Sequence, residues 1–186
     1  MLRKVLRRSG SVPLAAILPL LLIALAAMPA GAADLQVAVH LQGAEVVPVW
    51  DPSDGASGEI ALMNNIYETL LRYEAATNTF KPMLATSYEK SDDALTWTFK
   101  LREGVKFHTG NPFNAAAVKF CIERTMERGR GSAYIWGPVK SVEVVDDYTV
   151  RFHLKSPAPL DLIAAAGYSA YIFDPAHADH DWFNAG

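Results

Sequence analysis

The chain has 186 residues, 51% of them hydrophobic, with 17 Lys and Arg against 20 Asp and Glu, a formal net charge of −3. That length can bury a sizeable core, and the acidic balance argues against nucleic acid as a partner, which calls for basic patches. The single cysteine, Cys121, excludes an internal disulfide.

Charge and hydropathy are uneven along the chain. Arg3, Lys4, Arg7 and Arg8 precede an apolar run, Val12–Met28, interrupted by Pro13 and Pro19, and no acidic residue occurs before Asp34. Ala30-Gly31-Ala32 then supplies the small residues that signal peptidase reads, so residues 1–33 are expected to be a cleaved secretory signal. A membrane anchor fits less well, because the apolar core is short for a spanning helix and carries prolines. Arg7-Arg8 is followed by Ser9-Gly10, which departs from the twin-arginine pattern and favours general export. Cleavage after Ala33 leaves about 153 residues with all 20 acidic but only 13 of the 17 basic residues, a net charge of −7. No cysteine follows the apolar run to carry a lipid, so the expected location is the periplasm as a freely soluble protein.

In the remaining chain, Leu35–Leu41 alternates apolar and polar residues as a strand does, and Val46–Trp50 leads into Asp51-Pro52. Ser53–Gly58 is a flexible loop by composition. Ile60, Met63, Ile66, Tyr67, Leu70 and Leu71 recur at helical spacing and predict one helix over 60–71. Asn78 and Pro82 break the chain, and Asp92-Asp93 turns it into a strand in which Trp97, Phe99 and Leu101 alternate with Thr98, Lys100 and Arg102. Gly104 and Gly110 mark reversals, and Asn114 is placed to cap a helix over Ala115–Arg128 that Gly129 ends. The face of this helix carrying Val118, Cys121, Ile122, Thr125 and Met126 is apolar, which makes Cys121 a buried structural thiol. Ser132–Val139 is an aromatic loop, Asp146-Asp147 is read as the turn of a two-residue hairpin, and Leu160–Ala166 is a short helix or turn. Hairpins mixed with isolated helices indicate a mixed α/β (α+β) fold without long parallel repeats.

Trp97–Phe120, WTFKLREGVKFHTGNPFNAAAVKF, strongly resembles the signature of family 5 of the bacterial extracellular solute-binding proteins, the peptide- and nickel-binding receptors of ABC importers. Four further stretches resemble that family in the same order: Val49–Pro52, Asn65–Leu70, Lys81–Tyr88 and Val144–Val150. Two positions depart from the pattern, Thr109 where Asp usually precedes the glycine, and Ala117 where Asp often precedes the helix valine. The resemblance implies a periplasmic binding protein-like type II fold in which residues 34–80 start the first ligand-binding lobe, 81–176 form a small additional α+β domain, and 177–186 lead toward a second lobe not contained in this sequence.

It also implies capture of a peptide or related small solute between two lobes, hinge closure, and docking on an inner-membrane ABC permease complex, by a monomer that needs no cofactor and does no covalent chemistry. By the same resemblance the loop after Asp51-Pro52 runs beside the ligand, so Gly55, Ala56 and Ser57 are candidate ligand-binding residues, glycine permitting close backbone approach. Tyr134 and Trp136 are second candidates, since loop aromatics can wall a cleft; burial in the small domain's core is the competing role. His177-Ala178-Asp179-His180-Asp181 has metal-ligand residue types but reads as a solvated linker. No Gly-x-Ser-x-Gly elbow, His-Glu-x-x-His helix or phosphate loop occurs, so enzymatic function is not expected. The alternatives are a truncated, non-transporting remnant or protein-interaction module, and a receptor for a non-peptide solute such as a nickel chelate.

Overall fold

A four-stranded antiparallel sheet backed by one long helix organises the chain. The computed structural model describes residues 50–55, 60–178 and 183, with the backbone alone at Ile60 and Ala61. These residues belong to one compact unit. The expected signal segment and the strand expected at Leu35–Leu41 lie outside them.

In chain order the elements are α1 (Ile60–Met63), β1 (Leu71–Glu74), β2 (Thr79–Pro82), β3 (Ala85–Lys90), β4 (Thr96–Leu101), α2 (Ala115–Arg128), a 3-10 turn (Ala133–Trp136), β5 (Val139–Asp146), β6 (Thr149–Leu154), α3 (Leu160–Ala164) and a second 3-10 turn (Pro175–His177). β1 and β2 form a separate hairpin, and the larger sheet has the order β3-β4-β6-β5. This is the mixed α/β class expected from the sequence.

Period-2 alternation decides which face of the sheet is buried. Trp97, Phe99 and Leu101 of β4 and Val150, Phe152 and Leu154 of β6 point to the core, with Phe99 paired to Val150 and Trp97 to Phe152. Val118, Cys121, Ile122 and Thr125 of α2 are buried with them. The rings interlock: Phe99 meets Phe152 edge-on at 5.5 Å, and Trp136 stacks on Phe152 at 6.0 Å.

Helix α2 begins and ends where its sequence dictates. The Asn114 side chain accepts a hydrogen bond from the Ala117 amide at 3.0 Å, satisfying one of the amides a helix start leaves open. Gly129, at φ +59°, takes the left-handed cap and returns its amide to Thr125 O. Cys121 is fully buried, its sulfur 3.3 Å from the Phe173 amide and 3.2 Å from the Phe173 carbonyl, and burial pushes its thiol pKa up to about 12.

Two expectations are corrected. The single helix over 60–71 is instead the one turn of α1, closed by the Tyr67 amide on Met63 O, followed by an antiparallel bridge of Glu68 with Ile172 and then strand β1. Leu70 and Leu71 are buried as the periodicity requires, but non-local pairing of Leu71 with Pro82 and of Glu68 with Ile172 outweighs a weak local helical preference. The β5–β6 hairpin turns one residue later than expected, because Asp146 pairs with Thr149 and leaves Asp147-Tyr148 as the loop. Among the described residues no helix is long and apolar enough to cross a membrane.

Phe99→Ala should destabilise the chain by about 3–5 kcal/mol, whereas Tyr134→Ala should stay within about 0.5 kcal/mol. Urea unfolding of the two variants checks this, and equal midpoints would contradict the contrast in burial between the two rings.

Candidate functional site

The segment before the expected ligand-side loop is locked onto helix α2 by charge. Arg124 and Arg128 lie four residues apart and so on one face of the helix. Arg124 grips Asp51 with both terminal nitrogens, at 2.8 and 2.7 Å, and also bonds the Ser53 hydroxyl. Arg128 grips Asp54 through Nε at 2.6 Å and through Nη2. Asp51 also accepts the Ser53 amide at 2.9 Å, which closes the turn on itself. The Arg124 guanidinium lies over the rings of Phe173 and Phe183, at 5.5 and 5.6 Å from their centres.

Asp51 is 0% exposed. Burial opposes its ionisation, but the Arg124 and Ser53 hydrogen bonds and the charges of Arg124 and Arg128 more than offset this, and the carboxyl is held below its ordinary value of 3.8.

The loop after α2 closes over this segment from the other side. Gly131 has φ +52°, and a Cβ there would stand 2.3 Å from Asp54 O and 2.7 Å from Gly55 O. Only glycine allows two backbones to approach so closely in that conformation. The Ser132 amide and the Ser169 hydroxyl both donate to Gly55 O, at 3.3 and 3.2 Å.

Of the five candidate ligand-binding residues, Gly55 and Tyr134 fall on these two adjoining loops. Gly55 is buried, its carbonyl committed to Ser132 and Ser169. Tyr134 is 76% exposed, the most exposed of the large hydrophobic residues described. Trp136 is 1% exposed and donates its indole N–H to Ser169 O at 2.7 Å. Its ring therefore lies in the core, the competing role read from sequence, and does not wall a cleft as the candidate reading required. Successive residues of a 3-10 turn are rotated by about 120°, so Tyr134 and Trp136, two residues apart, fall on different faces, one exposed and one buried. Ala56 and Ser57 lie outside the described residues.

Sequence reading did not single out a second feature, an apolar cavity of about 410 Å³ walled by Tyr67, Leu84, Val105, Phe107, Phe113 and Phe173. Its rim is tied across the chain, since one oxygen of Asp174 accepts the Thr109 hydroxyl and the Asn111 amide nitrogen, the latter at 2.8 Å. Gly104 and Gly110 mark reversals in the sequence, but no local signal brings residues 105–113 to 172–174. His177 also lines this cavity, while Asp179, His180 and Asp181 of the possible metal cluster lie outside the described residues.

The mixed α/β arrangement of an antiparallel sheet backed by one helix is part of a periplasmic binding protein-like fold. Residues 79–186 match the family model described as bacterial extracellular solute-binding proteins, family 5 Middle, and the chain belongs to that family. It is 35% identical over 157 residues to the glutathione-binding protein GsiB of Pectobacterium atrosepticum, covering 83% of this chain and 28% of that protein. Among solved structures it resembles NikA from Brucella suis in complex with Fe(III)-EDTA, at 36% identity and a TM-score of 0.65, over 71% of this chain and 27% of that one. It also resembles DppA from Helicobacter pylori in complex with the peptide STSA, at 32% identity and a TM-score of 0.59, over 73% and 30%. The chain thus spans less than a third of the length of these relatives.

Asp51→Asn should cost about 3–5 kcal/mol, because it leaves Arg124 without a charge partner in a buried setting. The depressed pKa of Asp51 makes its contribution complete at neutral pH and lost as pH falls through the folded-state value, below 3.8. Denaturant titrations at pH 7 and at pH 3 should therefore show a smaller gap between wild type and Asp51→Asn at the lower pH. Gly131→Ala should lower stability by more than the ~1–3 kcal/mol of a strained backbone alone, since the new methyl meets backbone oxygen; thermal unfolding reads this directly.

Proposed function

We propose that the chain is part of the periplasmic solute-capturing component of an ABC importer, taking a peptide or a related small solute and passing it to an inner-membrane permease. The observation that carries this reading is the match of residues 79–186 to a family of extracellular solute-binding proteins, together with the shared fold. In it, residues 34–80 begin the first lobe, 81–176 form the additional domain, and the receptor acts as a monomer without covalent chemistry. Residues 1–33 serve as the export signal, consistent with the basic start and apolar run of the sequence.

Glutathione and peptide, the solutes named for GsiB and for the DppA complex, favour a ligand with an amide backbone and free carboxylates. The NikA complex with Fe(III)-EDTA supports a second reading, a metal chelate, which is again rich in carboxylates. Gly55, Ala56, Ser57 and Tyr134 are the proposed solute-side residues of this chain, with Trp136 holding the Tyr134 loop from within the core.

Calorimetric titration of the purified protein with glutathione, with dialanine and with Ni(II)-histidine tests this. One of the three should bind at one equivalent, and at a hundredfold excess over Kd it should stabilise the fold by about 2.7 kcal/mol, raising Tm by several degrees. Catalytic turnover of the added compound in place of reversible binding would overturn the receptor reading.

A further inference from the structure

One residue at which this chain departs from its family's signature sits on the rim of the apolar cavity. Thr109 stands where Asp usually precedes Gly110. Local turn chemistry does not select Thr over Asp. The Thr109 hydroxyl accepts the Asn111 amide at 3.4 Å, a bond that an Asp carboxylate makes more readily. The selecting group lies 65 residues further along the chain, where one oxygen of Asp174 accepts both the Thr109 hydroxyl and the Asn111 side-chain amide. Burial opposes the ionisation of Asp174, but hydrogen bonds from Thr109, Ala176 and Asn111, together with His177, hold its carboxyl below the ordinary 3.8. It is therefore charged at neutral pH. An Asp at position 109 would remove the donor hydrogen and set a second charge against that oxygen.

The two sides of this contact are anchored differently. Asp174 follows Ile172, which bridges to Glu68, and Phe173, whose amide and carbonyl both bond the Cys121 sulfur of α2. Its other oxygen accepts the Ala176 amide at 3.0 Å and so caps the second 3-10 turn. The 105–113 hairpin is closed by its own bonds: Lys106 bridges to Pro112, and the Phe107 amide bonds Asn111 O at 2.9 Å. Its tip is exposed, turns at Gly110 with φ +92°, and reaches the anchored segment through Asp174. Phe107 and Phe113 line the cavity from the hairpin, and Phe173 lines it from the anchored segment.

We propose that Thr109, Asn111 and Asp174 form a strap that holds the hairpin and its part of the cavity wall to the Phe173 segment, with positions 109 and 174 acting as one exchangeable hydroxyl–carboxylate pair. In this chain the hydroxyl is on the hairpin and the carboxylate is on the anchored segment. Relatives with Asp at position 109 should carry a hydroxyl or an amide, not an acid, at position 174. The strap is independent of the receptor reading, and neither stands on the other.

Hydrogen exchange of the full chain at neutral pH tests this. Thr109→Val keeps the shape of the side chain, removes the donor and leaves the Asp174 cap on Ala176 in place. It should speed exchange of the Phe107 and Gly110 amides about tenfold, while the amides of β4 and β6 exchange as in the wild type. Thr109→Asp should speed them further, because two carboxylates then face each other. Adding Asp174→Ser to Thr109→Asp should return both rates to within about threefold of wild type, the new hydroxyl donating to the new carboxylate. Unchanged hairpin rates in Thr109→Val would overturn the strap, as would a double variant that exchanges as fast as Thr109→Asp alone. Exchange that quickens equally in β4 would also overturn it, since the bond would then support the whole fold and not the hairpin.

Discussion

The Asp51–Arg124 pair is the constraint on which the rest of this arrangement depends. A carboxylate fully removed from water is costly, and it is tolerated only where opposite charge and hydrogen bonds surround it. Here a bidentate guanidinium, a backbone amide and a second arginine provide that surrounding. The same guanidinium rests on Phe173 and Phe183, so one side chain joins the Asp51–Gly55 segment, helix α2 and the aromatic wall of the apolar cavity. Those parts come from positions over 120 residues apart in the chain, and the ion pair is where they meet.

Rigidity then spreads outward from the helix. Its start is capped by Asn114, its end by Gly129, and its apolar face is buried against the sheet. The loop leaving the helix therefore inherits a defined origin and direction. Gly131 fixes the distance to the Asp51–Gly55 segment, and Trp136 fixes the return into the core. Between these anchors the loop exposes Tyr134, 76% of which is open to solvent, while its neighbour Trp136 stays buried.

Much of this is legible in the sequence, and the parts that are not share one property. Helix α2 is readable to its last residue because its signals are local: a cap residue, an apolar stripe and a terminal glycine within 16 positions. The strands β4 and β6 are equally plain from alternation. The 60–71 segment departs from expectation because an apolar stripe does not distinguish a helix from a turn followed by a buried strand when the deciding partners, Pro82 and Ile172, lie elsewhere in the chain. The ion lock is of the same kind. Arg124 and Arg128 visibly share a helix face, but no local rule links them to acids 73 and 74 residues earlier. Tyr134 and Trp136 can be named as a pair, yet which one faces out is decided by the core packing around Phe152.

Cys121 has a consequence for how such a chain survives outside the reducing cytoplasm. Its sulfur accepts the Phe173 amide and donates to the Phe173 carbonyl, at 3.3 and 3.2 Å. With its pKa at about 12 the thiolate is essentially absent at neutral pH, and complete burial denies access to any attacking disulfide. An unpaired cysteine in an oxidising medium ordinarily invites mixed disulfides and covalent dimers. Folded, this chain is exempt from that hazard; its vulnerable interval is the time between synthesis and burial of the helix.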